Sequence, residues 1–571
     1  MKKIFLNLIK AGLTYLAILI YSKIIFKTES YNVLLLMLFF MLFYFYYKDN
    51  LKINNKIKKY SFTLSIILSF ILSVGSITSS YIYSKPTNIF NLKNIIYVIV
   101  CTAGFIVLFN KIFKIFFSNI NKIVITNKDN KEDKKFFVAG NILILLAHTL
   151  FFIRYYPAIM TPDSYAILHN VNNFILDDFN TFGHTWFVGI FFHLGKFLFH
   201  NMNMAVALFT VVQMIIMSMI FTFGIKYLYN KGLNKKICII LFLLYALNPL
   251  YGHYSISLWR DVIFGGSFIL MFISLYEMND VKEIDNKYYI LFIIGSLIML
   301  FFRNNGIYIF LFMLPFIILI LKNKRLVISI ICFSLIIFYA IIKGPVFDYL
   351  NVSRSTPAEA YSIPYQQIAR VISSGVYIDD SHKQYFEKLF SYDQIPDNYN
   401  PIVSNSIKNL SDSYYLDANK AEFFKNYVTM FFQYPTIYVD AFLLQTLGYW
   451  YPDTIYWATG GESSSIYDSE KIYTNPLTPK WYNYIIDKMV SRRLPLNNLL
   501  WSVGLPFILL VISSLIMLYL GKQKYLLSFV PLYGLWVSIM LAAPVYSELR
   551  YVYGLFTCLP IFLLVPYINN K

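Results

Sequence analysis

Apolar runs of roughly 20 residues, separated by short connections rich in lysine, follow one another along most of this chain. A run of about 20 apolar residues crosses a bilayer core as a helix. Inside lipid, every backbone N–H and C=O has to be paired, so such runs fold as helices rather than as open strands. The runs fall near 4–26, 32–47, 60–83, 94–117, 137–153, 205–229, 237–250, 258–278, 288–302, 307–321, 326–343, 497–519, 525–545 and 551–567, about fourteen in all. The expected fold class is an all-α polytopic membrane protein. Composition excludes the soluble alternatives. The chain is 58% hydrophobic and 14% charged, where an ordinary soluble domain carries about 25% charged residues. A soluble fold this apolar would expose large hydrophobic patches.

The net charge of +19 would suggest nucleic acid on a soluble chain. Here the basic residues sit in short loops between apolar runs, the distribution of cytoplasmic loops, and no nucleic-acid partner is expected. Lys48 to Lys59 holds five lysines and Lys122 to Lys135 five more. Lys231, Lys235 and Lys236, then Lys322, Lys324 and Arg325, then Lys522 and Lys524 mark further basic connections. Placing all of them in the cytoplasm gives one alternation with both termini inside, provided that Trp186 to Phe199, only about 14 residues, lies at the interface instead of spanning. Met1-Lys2-Lys3 and the apolar stretch after it read as a retained first helix, since no small-x-small cleavage site follows. Cys101, Cys238, Cys332 and Cys558 lie far apart inside apolar runs and read as small buried hydrophobes.

This alternation divides the chain into four parts. Residues 1–136 form a four-helix membrane addition with basic loops. Residues 137–343 form a membrane core that includes an outer loop, 154–204. Residues 344–496 form an extracytoplasmic, mainly helical segment, and 497–571 the C-terminal membrane helices. Outer segments this long are usually functional. Within the second of them, the amphipathic stretch Phe423 to Trp450 is expected to dip into the interface.

The densest chemistry follows the span ending near Ile153: Arg154-Tyr-Tyr-Pro-Ala-Ile-Met-Thr-Pro-Asp163-Ser-Tyr. A carboxylate held just outside a bilayer can take a proton from a hydroxyl or ligate a divalent metal. An apolar wall beside it would raise its pKa. The structural alternative is a helix cap, with Asp163 or Thr161 starting a helix from Ser164 to Leu176. His184, at the start of the short apolar helix, could orient Asp163 or bond a phosphate, or it is simply an interfacial histidine. Asp177 and Asp178 could be extra ligands, but read first as a solvated loop pair.

Further ionisable and polar residues mark the outer ends of spans: Arg260 and Asp261, Arg303 with Asn304 and Asn305, and Glu548 with Arg550. Such residues are costly at membrane depth and tend to be functional. Arginine suits phosphate because its planar fork gives two parallel hydrogen bonds. The alternatives are arginines that reach to head groups and Arg–Asp pairs that lock helices. In the large outer segment Gln366, Gln367 and Arg370 lie on one helical turn and could bind sugar hydroxyls or phosphate, or pack a polar helix on the membrane body. The run Gly448-Tyr-Trp450-Tyr-Pro452-Asp453 could stack on sugars or form an interfacial aromatic belt.

Six motifs occur in order: Met160-Thr-Pro-Asp163-Ser, Trp259-Arg-Asp261, Arg303-Asn-Asn-Gly306, Ser362-Ile-Pro-Tyr-Gln-Gln-Ile-Ala-Arg370, Leu447-Gly-Tyr-Trp450 and Glu548-Leu-Arg-Tyr551. Together they resemble a bacterial membrane family of uncharacterised function, over roughly Ile142 to Leu563. The Asp just past a span, the outer His and the basic outer helix ends resemble the GT-C superfamily of membrane glycosyltransferases. That resemblance implies a GT-C-like bundle in a bacterial cell membrane, with an extracytoplasmic active site. It implies inverting transfer of a sugar from a polyprenyl-phosphate donor to a cell-envelope glycan, lipid or protein acceptor. Asp163 would be the general base, and Arg303 or Arg550 would hold the donor phosphate. His184, Arg260, Asp261, Asn304, Asn305, Gln366, Gln367, Arg370 and Glu548 are the further candidate substrate-binding residues. The chain departs from GT-C patterns in having Ser164 after Asp163 and Thr185 after His184; a divalent metal fits the sequence but is not required by it, and no other cofactor is named by it.

Two other functions fit the same residues. A transporter or flippase for a lipid-linked glycan would need polar groups at mid-membrane, for which Gln213 and Asn248 are the main candidates. A non-catalytic envelope-assembly protein would need no cavity at Asp163.

Overall fold

The computed structural model describes residues 2–26, 33–48, 53–84, 86–123, 125–126, 133–280, 285–321, 324–454, 456, 472–491 and 500–568. Among them every regular element is helical, and β pairing is confined to isolated bridges. Among the described residues nine helices are long and apolar enough to cross a membrane, or ten when the bent pair Lys235–Leu247 and Pro249–Ser255 is taken as one span. The chain is therefore a multi-pass membrane protein. Four shorter apolar helices, Met37–Tyr47, Asn286–Phe302, Gly306–Ile320 and Leu505–Tyr519, lie in other expected runs. The start of the expected 497–519 run and parts of the basic loops (49–52, 127–132 and 322–323) lie outside the described residues.

Asparagine and aspartate side chains set many of the helix starts. Asn54, Asn91, Asp133, Asn201, Asn234 and Asp285 each accept a hydrogen bond from a backbone N–H in the first turn, which satisfies donors that the helix itself leaves unpaired. Asn248 does the same where the bent pair breaks by 56° before Pro249. The carbonyls freed beyond that break are met by Gln213, whose Nε2 donates to Ser255 O at 2.9 Å and Ser257 O at 2.8 Å. Both polar residues considered for a translocation path thus hold the break together, as irregular backbone at membrane depth requires.

Helix Asp261–Asp280 is the axis of the bundle, with every residue of its apolar window buried. Met202–Asn230, Asn286–Phe302, Val530–Ala542 and Tyr553–Leu564 pack around it. The last of these approaches closely because Gly554 carries no side chain: a Cβ there would lie 2.4 Å from the Phe268 ring. The N-terminal helices Lys2–Phe26, Val33–Tyr47, Asn55–Ser80 and Leu92–Asn119 form a group of their own. The group is fastened to the C-terminal helices where Tyr60 and Phe117 pack on Tyr519.

The basic connections gather at one end. Lys235 pairs with Asp133 at 2.7 Å, Lys324 donates to Met278 O, Lys522 donates to Pro566 O, and Lys56 lies over the Tyr519 ring. The opposite end carries a helical segment whose core includes Tyr365, Ile368, Phe386, Phe423 and Met430. Ser404 N donates to Pro544 O, Tyr546 N to Ile402 O, and Ile89 N to Asp440. The stretch Phe423 to Trp450 is divided at Pro435 into Lys420–Gln433 and Pro435–Thr446; Phe423, Met430, Tyr438 and Leu444 are buried in the protein, while Phe424, Val428, Phe431, Phe432 and Val439 are exposed. Helix Phe182–Phe199 is not among the candidate spans. It packs through Val188 and Phe192 against Ile167, Leu168, Val206 and Phe209.

Candidate functional site

Four chain segments meet at the end of the bundle away from the lysines. The first begins at Pro162–Asn172. Thr161, not Asp163, is its N-cap: Thr161 N donates to Ser164 Oγ at 3.0 Å, and Ser164 Oγ donates onward to Leu258 O at 2.9 Å. The helix stops at Asn172, short of the expected Leu176. Asp163, relieved of capping, occupies the first turn, where the helix dipole favours a negative charge. Trp259 Nε1 donates to Thr161 Oγ1 at 3.0 Å. A parallel bridge between Ile159 and Ser257 fixes that register, so the cap of one helix and the approach to the central helix are one unit.

Three guanidinium groups surround Asp163. Arg550 NH1 donates to its carboxylate at 2.6 Å. Arg260, just before the central helix, and Arg303, from the connection between Asn286–Phe302 and Gly306–Ile320, act on it through their charge. Burial by itself raises the Asp163 carboxyl, but Arg550, Arg260 and Arg303 together outweigh burial and hold it below the usual carboxylate range. The expected upward shift is therefore reversed: the burial is there, but three cations face the carboxylate.

The arginines are not equivalent. Arg303 is ion-paired with Asp261, the pair being almost fully buried, and lies 4.8 Å from the Tyr551 ring centroid. The tight turn after it depends on Gly306, where a Cβ would stand 1.7 Å from Met299 O. Arg550 is shared between Asp163 and Glu548, whose Oε1 lies 3.5 Å from Nε, and it stacks over Tyr551 and Trp259. Arg260 donates to Phe179 O at 2.6 Å and, among the described residues, has no carboxylate within ion-pair distance. It is partly exposed.

His184 lies within electrostatic reach of Arg260, fully buried between the Phe209 and Phe302 rings. Neither ring nitrogen has a partner among the described residues, and burial holds the imidazole neutral, its pKa near 3. It makes no hydrogen bond to Asp163. Its helix starts from Thr181, held at φ 65° while its hydroxyl donates to Phe302 O at 3.0 Å; a β-branched residue resists that conformation.

Other candidates have structural partners. Asn304 donates to Asp178 O, and Asn305 to Ser538 Oγ. Asp178 is not a solvated loop residue: it is buried and ion-paired with Lys343. Gln366, Gln367 and Arg370 lie in the separate helical segment. Gln366 donates to Asn400 O, Gln367 to Tyr438 O, and Arg370 to Thr87 O, with Asp440 at 3.9 Å. Burial raises the Asp440 carboxyl to about 6 against Ile89 N–H and Arg370. Trp450 donates to Thr446, and Tyr451 is fully buried with its hydroxyl 2.9 Å from that of Tyr21, so this run packs inside the protein and is no belt.

Trp259, Tyr551 and Tyr449 were not singled out from sequence, although each stands within a motif that was. Tyr449 OH accepts from Glu548 N at 3.2 Å and donates to Val545 O at 2.7 Å, fixing the approach to the last helix. Among the described residues no three His, Cys, Asp or Glu side chains are grouped to hold a metal ion. No curated protein and no solved structure matches the chain. Residues 156–571, which carry all four segments of the site, match a family of unknown function, DUF6020, and the chain belongs to that family.

Proposed function

We propose that the protein is a membrane glycosyltransferase. It transfers a sugar, with inversion, from a polyprenyl-phosphate-linked donor to a cell-envelope acceptor at the face away from the lysines, with Asp163 as general base. One observation carries this reading: three arginines meet one accessible carboxylate where the buried axis of a membrane bundle begins. The acceptor oxygen attacks the anomeric carbon, its proton passes to Asp163, and the bond from that carbon to the phosphate oxygen breaks. Arg260 and Arg550 take the charge that grows on the leaving phosphate. In the resting site the pairing with Arg550 makes Asp163 a weak base. A donor phosphate competes for that guanidinium and frees the carboxylate, so the base strengthens when there is something to transfer.

The direct test uses purified protein in liposomes with a labelled polyprenyl-phosphate sugar. Label in a covalent product supports the reading. Movement of the lipid between leaflets without product would replace it with a flippase.

Arg260 is the guanidinium with most capacity to spare for a ligand. A hydrogen bond to a charged group contributes about 1.5–3 kcal/mol, and about 1.4 kcal/mol is tenfold in affinity. Arg260→Gln is therefore expected to lower kcat/KM for the donor roughly tenfold to a hundredfold, with kcat falling as well as KM rising, in steady-state kinetics.

A further inference from the structure

Glu548 stands one residue before the apolar segment Leu549–Tyr567 and is 1% exposed. Neither of its carboxylate oxygens has a hydrogen-bond partner among the described residues. Its nearest cation, Arg550, is also held by Asp163. A buried carboxylate without donors holds its charge poorly. The groups facing it come from every segment of the site: Asp163, Asp261 and Arg303 besides Arg550, with the phenols of Tyr254, Tyr449 and Tyr551. Arg260, Arg303 and Arg550 are formally balanced by Asp163, Asp261 and Glu548. An arriving anion therefore meets no net positive charge until one acid is neutralised, and Glu548 is the acid least able to keep its charge.

We propose that the site takes up its anionic phosphodiester together with one proton, and that Glu548 receives that proton. This rests on reading the arginine cluster as a phosphate site. A proton from water adds to a Glu548 carboxylate oxygen, Glu548 becomes a neutral carboxylic acid, and no bond to the ligand forms. Arg550 is then left to the ligand and Asp163. Burial already pushes the Glu548 carboxyl up to about 7, against Arg550 and Arg303, so the proton is available near neutrality. Ligand affinity weakens above that pH, by up to about tenfold per unit.

The test uses two probes, each with a single charge that does not titrate near neutrality: a polyprenyl phosphodiester in lipid nanodiscs, and dimethyl phosphate. Calorimetry in buffers of different ionisation enthalpy counts protons. Wild type is expected to take up about half a proton per bound anion at pH 7 and nearly one at pH 8. The infrared difference spectrum gains the carbonyl band of a carboxylic acid. Glu548→Gln binds the same probe with no uptake, no band and little pH dependence. Glu548→Asp, which leaves a carboxyl at the same place, keeps uptake but shifts the band, which locates the proton even if the glutamine variant fails to fold. Uptake with either probe supports the proposal, and tighter binding of the lipid probe makes the membrane the source of the anion. Binding without uptake, uptake that survives Glu548→Gln, or a band that Glu548→Asp does not shift overturns it while leaving the phosphate site standing. No binding of either probe removes both.

Discussion

Asp163→Asn is expected to lower the rate of sugar transfer by about a hundredfold to ten-thousandfold, the usual contribution of a positioned general base. The substitution keeps the shape of the side chain and leaves the helix start untouched, because the cap belongs to Thr161 and Ser164. The asparagine oxygen still accepts from Arg550, and the side chain is 39% exposed, so the melting temperature should change little. Removing the charge also removes the competitor for Arg550. Donor KM should therefore stay level or fall while kcat collapses, a split that general misfolding does not produce. The pH profile adds a sign. Its neighbours hold the Asp163 carboxyl below its ordinary range, so the working, deprotonated form persists in mild acid. In kcat/KM, which reports the free enzyme, loss on the acid side should begin only below the ordinary carboxylate range. Single-turnover rates in liposomes, paired with thermal unfolding, measure both. Unchanged turnover in the asparagine variant removes Asp163 from the chemistry.

The membrane-spanning character of this chain is legible because lipid imposes length and apolarity on each run, and composition alone records both. That Asp163, Arg260, Arg303 and Arg550 stand at the ends of spans is legible for a similar reason: charge there is expensive, so it stands out. Their pairing is not legible. Asp163 and Arg550 are 387 positions apart, and nothing local to either names the other. The same gap explains Gln366, Gln367 and Arg370, which look in sequence as polar and purposeful as Arg303 does. They spend their hydrogen bonds on the carbonyls of Asn400, Tyr438 and Thr87, fastening the helical segment internally and to the bundle. The Asp163 pKa illustrates how an environment inferred from one wall fails. Burial raises the carboxyl as a local apolar setting would, whereas the cations that reverse that effect arrive from three distant segments. Asn248 and Gln213 show the converse, polar residues at membrane depth whose partners are the backbone of a break that Pro249 makes necessary.

Arg303→Met should expose the difference between a guanidinium that holds the fold and one left for a ligand. Asp261 is 1% exposed at the start of the central helix, and Arg303, 10% exposed, is its ion-pair partner. Removing one member of such a pair leaves an uncompensated buried charge and costs about 3–5 kcal/mol. The methionine stem can still fill the space against Phe264 and Tyr551, so the loss is electrostatic rather than a cavity. Asp261→Leu should be destabilising in the same sense, with Arg303 stranded instead. The double variant should recover much of the loss, because replacing both charges by apolar groups removes the desolvation penalty with the attraction. Unfolding in mixed micelles, arranged as a double-mutant cycle, would then read a coupling at least as large as one single loss, about 3–5 kcal/mol. Additive losses would mean that the two residues act independently, and Arg303 would then be as available to a phosphate as Arg260. Strong coupling leaves Arg260 and Arg550 as the pair that grips the anion and Arg303 as the post that holds them in place.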